Sequence, residues 1–459
     1  MTSSGTGERT VDDGSRGTRA ARIVGIDYAR FLALAGMMAT HLWTWQPDGG
    51  TPALSAALQG KAAALFAVLA GVGIALSTRR AVAEGRLASA RWAVFGRGLA
   101  LLVIGLTLGL FPGSILVILA YYALTFWAMI PFLRVPSRVL LPIAAAWALV
   151  WPPLLQLARA ELVVPFEVGS ASWLDLEDPL RLVRGLLVTG VYPVGTWLVY
   201  TMVGLVVGRA VLAVVAEPAR LRALGIRLAA IGAGLAAVAV SLSWLLAVGF
   251  GGLERLAEAR PELGAAGVAE QFLAEQFGGP PGGSLWWLAS PAPHTGTSFD
   301  LAITCGTSLL ALGLCLALGA GLGPRTRLVL APIGAAGGAP LTVYTAHVLA
   351  AGLVDALASL EPWDDGIPWQ VSSLQLWLLH VAGALLIGLV LALLGRRGPL
   401  EAVVAWVARR FARLGKGEAD AAAAAPSGDA PPGDAPPGDA PPGDAPPGDV
   451  QPGPRRLDG

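Results

Sequence analysis

The chain has 459 residues, of which 55% are hydrophobic and 14% charged, with a mean hydropathy of +0.64. A soluble domain carries about a quarter charged residues, so this composition points to a membrane protein. The net charge of +1 leaves no basic field for a nucleic-acid partner, and the two cysteines, Cys305 and Cys315, share one apolar run and exclude a disulfide framework or a thiolate metal site.

The first 21 residues are polar, lack signal-peptide features and are expected to be a flexible N-terminal segment. Runs of about 20 apolar residues then mark candidate spans. Ten are predicted: 24–44, 60–78, 94–111, 114–132, 138–158, 186–208, 223–249, 299–321, 338–358 and 373–395. Only Pro112 and Gly113 separate the third from the fourth, and an amphipathic piece around 325–337 leads into the ninth. The expected fold class is an all-α, polytopic integral membrane protein with about ten transmembrane helices, filling one domain over 22–414.

The loops predict its orientation. Arg79, Arg80, Arg86, Arg91 and Arg97 are read between spans two and three, Arg134 and Arg138 between four and five, and Arg209, Arg220, Arg222 and Arg227 after span six. Arg325 and Arg327 follow span eight, and five arginines between 396 and 413 follow span ten. The alternate loops are short or acidic, so the positive-inside rule places both termini in the cytoplasm, with the protein multi-pass in the plasma membrane. Two outer loops are long, about 159–185 and 250–298, and Trp286 and Trp287 in the second suggest a segment resting at the membrane interface. From 415 to 459 the chain ends in the repeat "GDAPPGDAPPGDAPPGD", which has no apolar face to bury and is expected to be a disordered tail.

The first span, "GIDYARFLALAGMMATHLW", carries Asp27, Arg30 and His41. Each ionisable group costs on the order of 2.5–3.5 kcal/mol at a helix centre. At about 100° per residue, Arg30 and His41 project roughly 20° apart and Asp27 about 60° from Arg30, so the three share one face. That face reads either as an Asp27–Arg30 ion pair with a histidine at the far end, or as a path. In the path, Arg30 holds an anionic ligand near the inner leaflet and His41 acts as a base about 16 Å further along the axis. The other histidines also fall in the outer half. His294 precedes span eight, six residues before Asp300, which either orients it or serves as a helix-start carboxylate. His347 lies in the polar stretch "LTVYTAHVLAAG", and His380, in span ten, reads as a hydrogen-bonded structural residue. The stretch "YPVGTWLVYTMVGLVVGR" is glycine-rich and suited to close helix packing. P-loop, dinucleotide-binding, HExxH and GxSxG signatures are all missing from the sequence.

"RIVGIDYARFLALAGMMATHL" followed by "GKAAALFAVLAGVGIALS" resembles the opening of the transmembrane acyltransferase superfamily, and more narrowly the YeiB-type bacterial membrane proteins in their actinobacterial form. These are related to heparan-alpha-glucosaminide N-acetyltransferase. "PHTGTSFDL", "GGAPLTVYTAHV" and "RRGPLEAVVAWVAR" carry the same resemblance, which covers roughly 22–414. Arg30 and His41 fit the spacing of a basic residue and a histidine that is similar in the acyltransferase-three proteins. The resemblance implies use of acyl-CoA, most simply acetyl-CoA, as cytoplasmic co-substrate, without a metal, to modify an extracytoplasmic glycan or glycolipid. It leaves room for a homo-oligomer among the surrounding lipids. His41 would be the base, Arg30 with Asp27 the CoA-phosphate site, and His294 and Asp300 the outer mouth, with His347 as a further candidate. The glucosaminide acetyltransferases carry a histidine just after the first span, where this chain reads "TWQPDGG", so the base falls to His41 or His294. The rival expectation is a transporter or flippase that uses the same buried charges without bond chemistry.

Overall fold

The computed structural model describes residues 23–424, apart from 47–49, 112, 163–166, 168 and 361–366. The N-terminal segment lies outside the described residues, as does the tail from 425 onward, whereas 415–424, expected to be disordered, continue the last helix. Among the described residues there is helix and loop and no strand. Eight helical stretches are long and apolar enough to cross a membrane: Ala53–Ala83, Leu87–Leu108, Ser137–Ala160, Val194–Val214, Pro218–Gly249, Ser298–Gly321, Pro340–Ala358 and Leu374–Leu394. The protein is a multi-pass, all-helical membrane protein.

In chain order the helices are α1 (Val24–Leu42), α2 (Ala53–Leu58), α3 (Lys61–Ala83), α4 (Leu87–Leu108), α5 (Leu119–Ala128) and α6 (Ser137–Leu162). Next come α7 (Pro179–Arg184), α8 (Val194–Val214), α9 (Pro218–Trp244), α10 (Gly252–Ala259), α11 (Gly264–Leu273) and α12 (Ser298–Gly321). The last five are α13 (Pro324–Val329), α14 (Ala331–Gly337), α15 (Pro340–Ala358), α16 (Leu374–Leu394) and α17 (Pro399–Ala424).

Two predicted spans depart from the apolar pattern for different reasons. Helix α1 is long enough, but its three ionisable residues lower its hydropathy. The predicted span 114–132 contains only a ten-residue α-helix, about 15 Å long, half of a hydrocarbon core of about 30 Å. A 3-10 turn, Ile130–Arg134, extends it, and the larger rise of that geometry gains length. Both ends are tied to helix α8. The Tyr121 hydroxyl accepts from the Val191 N–H (3.3 Å) just before α8, and the Arg209 guanidinium donates to the Val135 (2.6 Å) and Leu133 (2.8 Å) carbonyls near its other end. Those carbonyls end a helical turn and would otherwise lack partners. The predicted span 186–208 also starts late: Gly190 and Pro193 interrupt it, and regular helix begins at Val194.

Helices α3 and α8 approach closely at the centre. A Cβ on Gly204 would stand 2.0 Å from the Val68 carbonyl oxygen, and one on Gly71 would stand 2.2 Å from that of Thr201, so only glycine fits. Helix α1 packs against α3, α12, α14 and α16. Gly25 lies against Cys315 and Leu316, while at the opposite end the Ser373 N–H, leading into α16, donates to the Leu42 carbonyl (2.8 Å). Helix α17 runs along α4, and its Glu401 reaches the first turn of α15. There its carboxylate accepts from the Leu341 N–H (2.6 Å), the Thr342 N–H (3.1 Å) and the Thr342 hydroxyl (2.6 Å), a cap supplied by another helix.

The long loop 250–298 folds as a small helical cap. Ala247, Leu256, Val268, Phe272, Trp287 and Ala289 form its own core. Trp287 is fully buried there, so its ring packs inside the cap. Trp286 lies under the Arg255 guanidinium, 4.9 Å away.

Candidate functional site

The shared face of α1 survives in three dimensions, and each end of it meets different partners. At the N-terminal end the Arg30 guanidinium donates to Asp27 at 3.1 Å, and Asp27 is buried. The structure brings a second cation here, one counted with the loop arginines although the predicted span 94–111 includes it. Arg97 lies inside α4, ten residues past its start, and its guanidinium faces that of Arg30 across Gly73. A Cβ on Gly73 would stand 3.8 Å from an Arg30 nitrogen and 3.9 Å from an Arg97 nitrogen. Arg97 makes no ion pair with another described residue. Among the described residues, two guanidinium groups beside one carboxylate give an anion-binding arrangement with planar, bidentate donors.

At the other end of α1, His41 meets His347, which in turn meets His380. Its Nδ1 is 3.2 Å from Nε2 of His347, and Nδ1 of His347 is 3.0 Å from Nδ1 of His380. The His41 and His347 rings lie side by side in nearly one plane, with centroids 5.5 Å apart and an interplanar angle of 6°, whereas His380 stands perpendicular to His347. His347 is buried and His380 is partly exposed. The three come from α1, α15 and α16, so two helix contacts, not any sequence spacing, create the group.

His41 borders a small cavity, shared with Met37, Thr40, Tyr192, His294 and Tyr344. A second small cavity adjoins it, sharing Gly60, Tyr192 and His294 and reaching Tyr200 and Asp300. His41 and His294 line this region, and His347 and His380 join it through His41. His294 has φ of 60°, the one left-handed non-glycine residue among those described. Such a conformation costs about 1–3 kcal/mol and persists only where its surroundings hold it. The holding groups are specific. Asp300 accepts from the Gly296 N–H (2.9 Å), Thr297 caps α12 through the Asp300 N–H (3.0 Å), and the Thr295 hydroxyl donates to the Ala292 carbonyl (2.8 Å). Asp300 thus fixes the turn that presents His294 and does not hydrogen-bond its ring. Its direct contacts are those of a helix-start carboxylate.

The His294 ring stacks on Phe277, with centroids 5.0 Å apart, and its Nε2 is 3.4 Å from a Glu275 carboxylate oxygen. Burial pushes the Glu275 carboxyl up to about 7. Burial, with the neighbouring His41 and Lys61, holds His294 down to about 4. At neutral pH His294 is therefore an uncharged base beside a carboxyl that is close to half protonated, and the contact is not an ion pair.

No protein-family model matches the chain, and no curated protein matches it.

Proposed function

We propose that the protein is an acyltransferase of the plasma membrane. It moves an acyl group, in the simplest case acetyl, from cytoplasmic acyl-CoA to a hydroxyl or amine of an extracytoplasmic glycan or glycolipid. In this reading α1 and the α5 segment complete ten spans, and both termini are cytoplasmic. The observation that carries it is the polarity of α1: a paired-arginine anion site at one end, and at the other a histidine opening on a cavity. Arg30 and Arg97 hold the phosphates of CoA, with Asp27 keeping Arg30 in place when the site is empty. His41 removes the acceptor proton as general base. His294, held by the Asp300 turn, lines the acceptor side. The resemblance of the α1 and α3 sequences to transmembrane acyltransferases supports the same assignment.

The decisive experiment is titration of purified protein with acetyl-CoA, followed by assay of acetyl transfer to glycan and glycolipid acceptors. Binding with transfer is expected. Absence of acetyl-CoA binding, with movement of a cargo and no acylated product, would replace the enzyme by a transporter or flippase. Orientation is tested by cysteine labelling. Positions 50–56 and 270–290 should react from outside, and 84–90 only from inside; outside labelling of 84–90 overturns it.

A further inference from the structure

The His41–His347–His380 group is more than a base with neighbours. His347 spends both ring nitrogens on other histidines, Nε2 at 3.2 Å from His41 and Nδ1 at 3.0 Å from His380. A neutral imidazole has one donor and one acceptor nitrogen, so the direction of one bond fixes the direction of the other. The chain has two polarities only. In one, His41 Nδ1–H donates to His347, His347 Nδ1–H donates to His380, and the His380 proton sits on Nε2. That leaves a lone pair on His41 Nε2. In the other polarity every proton occupies the opposite nitrogen. The nitrogens run in line and do not converge on a point, and among the described residues no three histidine, cysteine or carboxylate groups form a metal-ligand set.

From this geometry we infer that the three histidines form a proton relay between the His41 cavity and the partly exposed His380, an inference that rests on the acyltransferase reading for its use. The step balances without a co-reactant. An acceptor hydroxyl or amine gives its proton to His41 Nε2. The His41 Nδ1 proton passes to His347 Nε2, the His347 Nδ1 proton passes to His380 Nδ1, and His380 gives its Nε2 proton to water entering from the start of α16, six residues before it along the helix. Three neutral imidazoles remain, with polarity reversed. When the thiolate of CoA leaves, the chain runs backward, taking a proton at His380 and delivering one from His41, which resets it. The net transfer is acceptor proton to thiol. The advantage is electrostatic: handing the proton on keeps an imidazolium from standing in a buried site, where an unpaired charge is expensive. His41 and His294 touch substrate in this scheme, whereas His347 and His380 act through His41. The other titratable groups facing the chain are His294 with Glu275, Tyr192 and Tyr344, and Lys61 and Asp300 beside the adjoining cavity.

The test uses full-length protein in detergent with ¹⁵N-labelled histidine, which gives four residues to resolve. Scalar coupling should appear between the nitrogens of His41 and His347 and of His347 and His380. As pH falls the three should also take up a proton as one unit, in a single shared titration step, while His294 does not join them. Lack of the couplings, or three independent titrations, overturns the relay whether or not the protein transfers acyl groups. The second arm is transfer itself. Glutamine at 380 keeps a hydrogen-bonding partner for His347 but cannot pass a proton. H380Q should lower turnover at least tenfold with acetyl-CoA affinity and melting temperature unchanged, and free imidazole should restore turnover to His380→Ala. Wild-type turnover in H380Q at every pH makes the chain a packing network and overturns the relay. If wild-type protein transfers no acyl group to any acceptor, the acyltransferase reading fails, and the coupling measurement alone decides whether the relay exists.

Discussion

Glu275 and His294 make opposite demands on folding, and the structure sets their size. The Glu275 carboxyl lies at about 7 in the folded protein against an ordinary 4.5, so the folded state holds more protons than the unfolded one between these values. Its contribution is complete below pH 4.5 and disappears as pH rises through 7. His294 lies at about 4 against an ordinary 6.5, so there the unfolded state holds more protons. Its contribution is complete above pH 6.5 and disappears as pH falls through 4. Each change is worth about 3 kcal/mol at about 1.4 kcal/mol per pH unit, and the Glu275 side chain, 26% exposed, is screened little by solvent. Between pH 4.5 and 6.5 the two slopes cancel. Each single variant should expose one of them. Relative to wild type, Glu275→Gln should gain about 3 kcal/mol of stability from pH 4.5 to 7, and His294→Gln should lose about 3 kcal/mol from pH 4 to 6.5. The double variant should follow wild type. The assay is denaturant unfolding in detergent, followed by tryptophan fluorescence across pH. Flat difference curves for both single variants, or slopes of the reverse sign, would refute the buried-pair argument.

At the other end of the bundle, Arg97→Ala and Arg30→Ala should each weaken acetyl-CoA binding measured by calorimetry. Gly73→Leu should do the same by filling the gap between the guanidinium groups, although leucine favours a helix by up to about 1 kcal/mol over glycine. His41→Ala and His41→Gln should both reduce acyl transfer by about 10²–10⁴-fold with acetyl-CoA affinity near wild type, and near-normal turnover in His41→Gln would end the general-base role. Gly204→Val places a side chain against the Val68 backbone and should lower the melting temperature, with a cost of at least about 1–3 kcal/mol, while Gly234→Ala, at a position open on its surroundings, should not.

Hydropathy made most of the helices readable because each long span is a continuous apolar run whose period need not be known. It failed where length came from something other than α-helix. Nothing in the residues 114–132 announces a short α-helix prolonged by a 3-10 turn and held by Arg209, since that support arrives from a helix far along the chain. Arg97 sits near the predicted start of its span, where an arginine counts as easily with the loop; its depth follows from α4 starting at Leu87, within the basic stretch. The face shared by Asp27, Arg30 and His41 was legible because all three sit on one helix with fixed angular spacing. The bonds from His41 to His347 and from His347 to His380 were not. They depend on which helices are neighbours and how each is rotated, and periodicity within one helix carries neither quantity. The glycines of α8 gave the opposite case, since small residues four apart mark a close approach whatever the partner proves to be.

The Glu401 cap gives the histidine chain a mechanical connection to the last described helix. A helix is stiff along its axis, and only five residues separate the capped Thr342 from His347, a lever arm of about 7.5 Å. Axial slippage of α15 is therefore delivered to the His347 ring almost undamped. The tolerance there is narrow: a displacement of about 0.5 Å turns a 3.0 Å contact into one at the limit of hydrogen bonding. Whatever pulls on α17, or competes with the α15 backbone for the Glu401 carboxylate, acts on the alignment of the imidazoles without approaching the cavity. The Glu401 clamp is thus one of the anchors by which α15 keeps the three rings in register.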